Sequence, residues 1–215
     1  MSLPWSLSKL GTFETCRAKF KFKYIERLPE QRSVAADRGV NKHKLIEDYI
    51  NGISVSLPPE YSMYQGFLSN LKNMGMQAEV KMALNDKWEP VPYDAPNVWW
   101  RGVLDAIIVQ GNRANVYDWK TGKIYDDHDD QKDLYSSAVI QTHPEVEIVN
   151  ATHVYVDLGK NRNKIYARHD IPTIREKWEA RVGKMLEAQE YFPNPNFKCT
   201  WCGYGKSKGG QCKFG

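Results

Sequence analysis

Apolar and polar positions change rhythm several times along this chain. Leu10, Phe13, Arg17, Phe20 and Tyr24 recur at helical spacing after Ser6 and Ser8, two possible caps, and predict a helix within residues 6–28. Residues 34–51 and 60–75 read as two further helices. The rhythm then shortens. Residues 77–84 alternate like a strand, and Pro90, Pro92 and Pro96 mark a loop. Residues 102–109 and 114–120 predict two strands joined at Gln110-Gly111-Asn112-Arg113, a tight-turn signal. A helix is expected from Asp127 to about Gln141. Strands follow at 151–158 and 164–169, joined through residues 159–163. Ile171-Pro172-Thr173 opens a last helix that ends near Tyr191, where Pro193 and Pro195 stop it. No internal repeat or low-complexity tract interrupts this order. Helices, strands, helix, strands and helix in succession predict an α/β fold with a central mixed β-sheet flanked by helices.

The tight turn has a chemical consequence. With Gly111-Asn112 at the tip, Gln110 pairs with Arg113, and counting outward puts Asp105 opposite Asp118. Side chains so placed stand roughly 5 Å apart on one sheet face. Lys120, two residues beyond Asp118, points to that same face. Two facing carboxylates repel unless a cation compensates them, and hard divalent ions prefer carboxylate oxygens. Such a pair can also sit on a solvated hairpin, each acid with its own lysine. Val103 and the run Ile107-Ile108-Val109 argue against that, because they mark these strands as buried. Two acids and a lysine on one face outline a metal-dependent phosphodiester-cleaving site.

Composition narrows the setting. The chain has 215 residues, enough for one substantial domain, with 41% hydrophobic and 26% charged residues, as in ordinary globular proteins. Net charge is +4 and the pI about 8.7, which permits nucleic-acid binding without requiring it. No uninterrupted apolar run approaches the roughly 18 residues of a membrane span. The first residues carry no charged segment followed by an apolar core, so a cytoplasmic location with reduced thiols is expected.

Four cysteines fall unevenly. Cys16 stands alone, whereas Cys199, Cys202 and Cys212 crowd the last 17 residues. In a reducing compartment a Cys-x2-Cys with a third cysteine nearby signals ligation, by tetrahedral zinc or an iron–sulfur cluster. The surrounding tail, rich in Gly, Lys and Pro, has little with which to build a core and needs such a staple. Near the other end, Arg17, Lys19, Lys21 and Lys23 interleave with Phe20, Phe22 and Tyr24. That pattern can grip single strands, and it also describes an amphipathic helix with snorkelling lysines. His43 and Glu47 lie one turn apart on the second helix, and Gln131 and Tyr135 one turn apart on a later one.

Taken together, Gly102-Val-Leu-Asp105 followed by Asp118-Trp-Lys120-Thr-Gly122 resembles the PD-(D/E)XK nuclease superfamily. Gly39-x3-His43 upstream and Gln131-Lys-Asp-Leu-Tyr135 downstream resemble its RecB-type branch. Residues 6–20, with Cys16, resemble the opening of its iron–sulfur members, among them CRISPR-associated exonucleases and the AddAB nuclease domain. The resemblance runs nearly end to end. It departs at Ala18, where a proline is usual near the first cysteine, and in the nine-residue gap between Cys202 and Cys212.

The resemblance implies a single nuclease domain over residues 1–215. Its core would be the restriction-endonuclease-like fold at about 34–192. A small lobe from 1–33 and 193–215 would be closed by cysteines from both ends. It implies that His43, Asp105, Asp118 and the Trp119 carbonyl ligate Mn²⁺ or Mg²⁺, and that Lys120 is catalytic. Gln131 and Tyr135 would hold the lysine or the DNA backbone, and Glu47 and Glu79 would be outer acids. Cys16, Cys199, Cys202 and Cys212 would hold a [4Fe–4S] cluster, with zinc the alternative. The expected activity is exonucleolytic, at DNA ends or in single-stranded DNA, during recombination, repair or phage DNA processing. An endonuclease of the same core, or a silent DNA-binding iron–sulfur subunit, are the alternatives. No Gly-x4-Gly-Lys-[Ser/Thr] motif is present, so any motor would be a separate partner, as in recombination or CRISPR systems.

Overall fold

The computed structural model describes residues 4–30, 34–124 and 129–215, with the side chains of 34–41 and 129 not described. The chain divides into two compact units, residues 39–178 and residues 1–38 with 179–215.

The larger unit is built on a five-stranded sheet in the order β1-β2-β3-β4-β5, comprising β1 (Gln77–Leu84), β2 (Trp100–Gln110), β3 (Arg113–Lys120), β4 (Ile148–Tyr155) and β5 (Lys160–Ala167). All neighbours pair antiparallel except β3 and β4, which run parallel. The parallel step requires a crossover, and helix α5 (Asp129–Thr142) provides it. The mixed sheet with flanking helices is the predicted α/β fold. On one face Ala106, Ile108, Trp119 and Val154 pack with Ile46, Tyr49 and Ile50 of helix α3 (Val34–Ile50) and Leu68 and Leu71 of helix α4 (Gln65–Asn73). Each such buried aliphatic side chain stabilises the unit by about 1.5–3 kcal/mol. Asp118 and Lys120 alternate with Trp119 and so lie toward the other face, where Gln131 of α5 meets them.

Three boundaries differ from the sequence reading. The β4–β5 turn occupies residues 156–159, with Tyr155 paired to Lys160; the shorter loop closes because Gly159 takes a positive φ of 60°. Residues 59–64 form a 3₁₀ turn ahead of α4. The last helix, α6 (Ile171–Leu186), stops five residues before Tyr191. The expected start of α5 at Asp127 lies outside the described residues.

In the smaller unit the N-terminal helix is broken. Helix α1 (Leu7–Thr15) is capped by Ser6, whose hydroxyl accepts from Lys9 N–H, and Cys16 then leaves helical geometry with φ −162°. A short helix α2 (Arg17–Phe20) and a π-turn at Lys21–Ile25 follow. Trp5, Leu10, Phe13 and Ala18 are buried. Among the described residues, no helix is long and apolar enough to cross a membrane.

Candidate active site

The β2–β3 ladder runs from Gln110↔Arg113 to Ala106↔Tyr117 without a slip. The next step would join Asp105 to Asp118, and there the backbone pairing gives way to a side chain. Asp105 Oδ2 accepts the Trp119 N–H at 2.8 Å. The turn therefore fixes the register as expected, and Asp105 is held on β3 by its own carboxylate.

On the other side of β2, Glu79 stands at the corresponding step of the β1 ladder, between the pairs Ala78↔Ala106 and Val80↔Leu104. It has φ 53°, in the left-handed region, at a cost of about 1–3 kcal/mol for a residue with a side chain. Burial, then the charges of Asp105 and Glu47, raises the Glu79 carboxyl above its ordinary value. Glu79 and Glu47 thus belong to the same electrostatic cluster as Asp105.

Each carboxylate of the central pair is engaged. His43 Nδ1, from α3, lies 3.3 Å from Asp105 Oδ2. Lys120 Nζ lies 2.7 Å from Asp118 Oδ2. Gln131 links the two members of β3. Its amide Nε2 donates to Asp118 Oδ1 at 2.6 Å, and its Oε1 accepts from Lys120 Nζ. Burial, then the charge of Asp105, pushes the Asp118 carboxyl up to about 6, against the pull of Lys120 and His43. Burial alone would lower His43, but its hydrogen bond to Asp105 and the charges of Asp105 and Asp118 raise it instead.

Tyr135, one turn beyond Gln131, is kept neutral chiefly by burial and then by the charge of Asp118. Its ring packs edge-on to Trp100 at 6.2 Å. A side chain at Gly102 would stand 3.1 Å from the Tyr135 ring and 2.7 Å from Trp100, so the glycine lets α5 lie close over β2. Trp119 sends its ring into the opposite core, at 2% exposure, while its backbone is held by Asp105.

Two residues of the site carry no sequence signal. Asp157, in the β4–β5 turn, accepts the Gly122 N–H at 2.9 Å and pairs with Lys42 at 2.5 Å. Partial burial opposes ionisation of Asp157, yet the Lys42 and Gly122 hydrogen bonds outweigh it and lower the carboxyl. This contact ties down the chain just past Lys120, and only the folded chain brings positions 42, 122 and 157 together. Tyr93 also escaped the sequence reading. It carries Lys81 Nζ and Arg101 Cζ over its ring at 5.4 and 5.5 Å.

Among the described residues, no three His, Cys, Asp or Glu side chains gather closely enough to form a ready metal cage. In kind, the donors suit a hard divalent ion: two facing carboxylates and an imidazole. Asp118 Oδ2 is buried, and the Lys120 ammonium stands 2.7 Å from it. An added cation would relieve the repulsion that raises Asp118.

The four cysteines all lie in the smaller unit and line one cavity of about 250 Å³, together with Phe22, Lys198, Trp201, Tyr204 and Phe214. Cys16 Sγ accepts from the Asn194 N–H, and Cys199 Sγ from the Asn196 N–H. The amides of Asn194 and Asn196 both donate to the Thr15 carbonyl. Tyr204 is buried and donates to the Leu28 carbonyl at 3.0 Å. The basic segment 17–24 is largely self-neutralised: Lys19 and Lys23 pair with Glu30, and Lys21 with Glu26.

The model of the PD-(D/E)XK nuclease superfamily matches residues 4–207. The chain belongs to that superfamily. No curated protein sequence matches it. Among solved structures, a provisionally assigned exonuclease from Eubacterium rectale is 12% identical with a TM-score of 0.53, covering 85% of this chain and 80% of that one. A crystal structure of the protein SSO0001 is 18% identical with a TM-score of 0.48, covering 95% of this chain and 85% of that one. At 12% identity the likeness to the Eubacterium rectale structure speaks for the fold alone.

Proposed function

We propose that this PD-(D/E)XK protein is a metal-dependent deoxyribonuclease, an exonuclease acting at DNA ends or in single-stranded DNA in the cytoplasm. The observation that carries the reading is the Asp105–Asp118–Lys120 face, with Gln131 bonded to both members of its β3 half. His43, Asp105, Asp118 and the Trp119 carbonyl would hold Mn²⁺ or Mg²⁺. Such an ion polarises a phosphodiester and acidifies water so that hydroxide is available near neutral pH. Lys120 then orients the attacking water and donates to the phosphoryl oxygens as their charge grows. Gln131 keeps the lysine ammonium aimed at that point. Tyr135, neutral and buried, retains its proton and serves as a donor.

We further propose that the whole chain is one nuclease, with core and cysteine-bridged lobe, and that the four cysteines hold a [4Fe–4S] cluster. The four thiols line one cavity. A four-iron cluster would take one thiolate on each of four irons, and a single zinc bound by all four sulfurs is the alternative.

End-labelled linear DNA beside closed circular DNA, with Mn²⁺, Mg²⁺ or chelator, tests the activity. Metal-dependent loss of linear DNA alone is expected, absent in Asp118→Ala. Cutting of circles would move the reading to an endonuclease, and no cutting of either would point to a silent binding subunit.

A further inference from the structure

The chain after residue 190 differs in surface chemistry from the rest of the smaller unit. Residues 191–215 contain four lysines, at 198, 206, 208 and 213, and no Asp or Glu. Lys19, Lys21 and Lys23 are neutralised by Glu26 and Glu30. The tail lysines have no carboxylate within ion-pair distance among the described residues. Lys198 and Lys213 instead lie over the Phe197 and Phe214 rings, at 6.0 and 5.2 Å.

The same segment exposes large rings. Phe197 is 73% exposed and Trp201 66%, although a soluble protein ordinarily buries most of a tryptophan. The two belong to one 3₁₀ turn, Phe197–Trp201, with ring centroids 6.3 Å apart and planes at 80°. Their backbone is not loose. Asn196 caps the turn through Lys198 N–H, and Cys199 and Cys202 within and beside it face the cysteine cavity. The rings therefore stand on a fixed platform, with the Lys198 ammonium over Phe197 and three more lysines along the same 25-residue segment.

An apolar protein groove would account for the rings but not for the cations. A phosphate-only surface, such as the outside of a duplex, would account for the cations but not for the rings. Single-stranded nucleic acid asks for both, since its bases are free to stack and its backbone carries one charge per nucleotide. We propose that Phe197 and Trp201, with Lys198, Lys206 and Lys213, form a grip for single-stranded DNA. Bases stack on the rings and phosphates meet the lysines. This deepens the proposed function and rests on it for the class of substrate. It also moves the strand-gripping role away from the basic helix at 17–24.

The test reads binding with the full chain in chelator, apart from any cleavage. The probe is a labelled oligothymidylate beside a duplex of equal length. Phe197→Ala with Trp201→Ala should weaken oligothymidylate binding roughly tenfold or more, from two stacks of about 1–3 kcal/mol each. Duplex binding should change less than about twofold. Phe197→Tyr with Trp201→Phe should restore the affinity, which separates lost stacking from a damaged tail. Lys198→Ala, Lys206→Ala and Lys213→Ala together should lower the slope of log affinity against log salt by about 2, at roughly 0.7 per phosphate contact. Unchanged oligothymidylate affinity in the double alanine variant would overturn the proposal, as would an equal loss for single strand and duplex. A protein that fails to cleave yet shows this pattern would remove the nuclease reading and leave the grip. One that cleaves with the pattern absent would do the reverse.

Discussion

The two clusters of chemistry in this molecule are held in place by different means. Asp105, Asp118 and Lys120 sit on adjacent strands, so hydrogen-bond register positions them, and the apolar packing of Trp119, Ala106 and Ile108 holds that register. Among the described residues, none that lines the cysteine cavity belongs to a strand of the sheet. The cavity rests on side-chain amides reaching Thr15, a tyrosine reaching Leu28, and close backbone approaches at glycines. A side chain at Gly210 would fall 2.3 Å from the Tyr204 backbone. The first arrangement should tolerate loss of the Asp118 carboxylate, because the apolar packing on the opposite face does not depend on it. The second has little besides its stitches.

The largest expected effect separates the two. Asp118→Ala should lower metal-dependent cleavage by about 10³-fold or more, the scale of losing a charge-stabilising group at a reacting centre. Its thermal midpoint should stay or rise, because a repelled, buried carboxylate is removed. A large drop in midpoint would show that the site acids hold the fold. Gly210→Ala should do the opposite, destabilising the smaller unit by about 2 kcal/mol or more. Faster labelling of Cys199 and Cys212 by a thiol reagent would report that, while residues 39–178 keep their amide protection. Uniform loss of protection in both units would break the comparison.

A third prediction concerns pH. Asp118 holds its proton up to about 6 in the folded chain and to 3.8 when unfolded. Between those values the native state binds more protons, so without divalent ions stability falls as pH rises through this window. The contribution is on the order of 3 kcal/mol, at 1.36 kcal/mol per pKa unit. Asp118→Asn should flatten that dependence in denaturant titrations from pH 4 to 6.5. Mn²⁺ should counter the fall above pH 6. Smaller again, Gln131→Ala should reduce cleavage by about tenfold with the fold intact, since Lys120 keeps Asp118 but loses its second anchor. Asp157→Asn, which weakens the hold on Gly122 and Lys42, should cost about 1 kcal/mol or less, because the pair is partly exposed.

The same difference in scaffolding explains what the sequence made legible. The Gly111-Asn112 turn set the β2–β3 register, and through it the Asp105–Asp118 pairing, because strand periodicity is strict and the connection is short. The α5 pair Gln131 and Tyr135 was legible from helical spacing. Cys16 and the tail cysteines could be read as a group, since spacing alone marks them, but the break that takes Cys16 out of helical geometry could not. Tertiary bonds from Asn194 and Asn196 to residues 15 and 16 accompany that break. The Lys42–Asp157–Gly122 contact was equally hidden, because it joins three positions far apart in the chain. The lysines at 19 and 23 looked free until Glu30 folded back onto them.

Mn²⁺ binding to the intact chain, read by the loss of the free-ion electron paramagnetic resonance signal, tests the central claim most directly. The unmodified protein would be measured beside Asp105→Asn with Asp118→Asn. The account predicts that the unmodified protein takes up Mn²⁺ and that the double variant, still folded, does not. Equal uptake by the two would contradict it, for the ion would then be held somewhere other than the face that strand register builds.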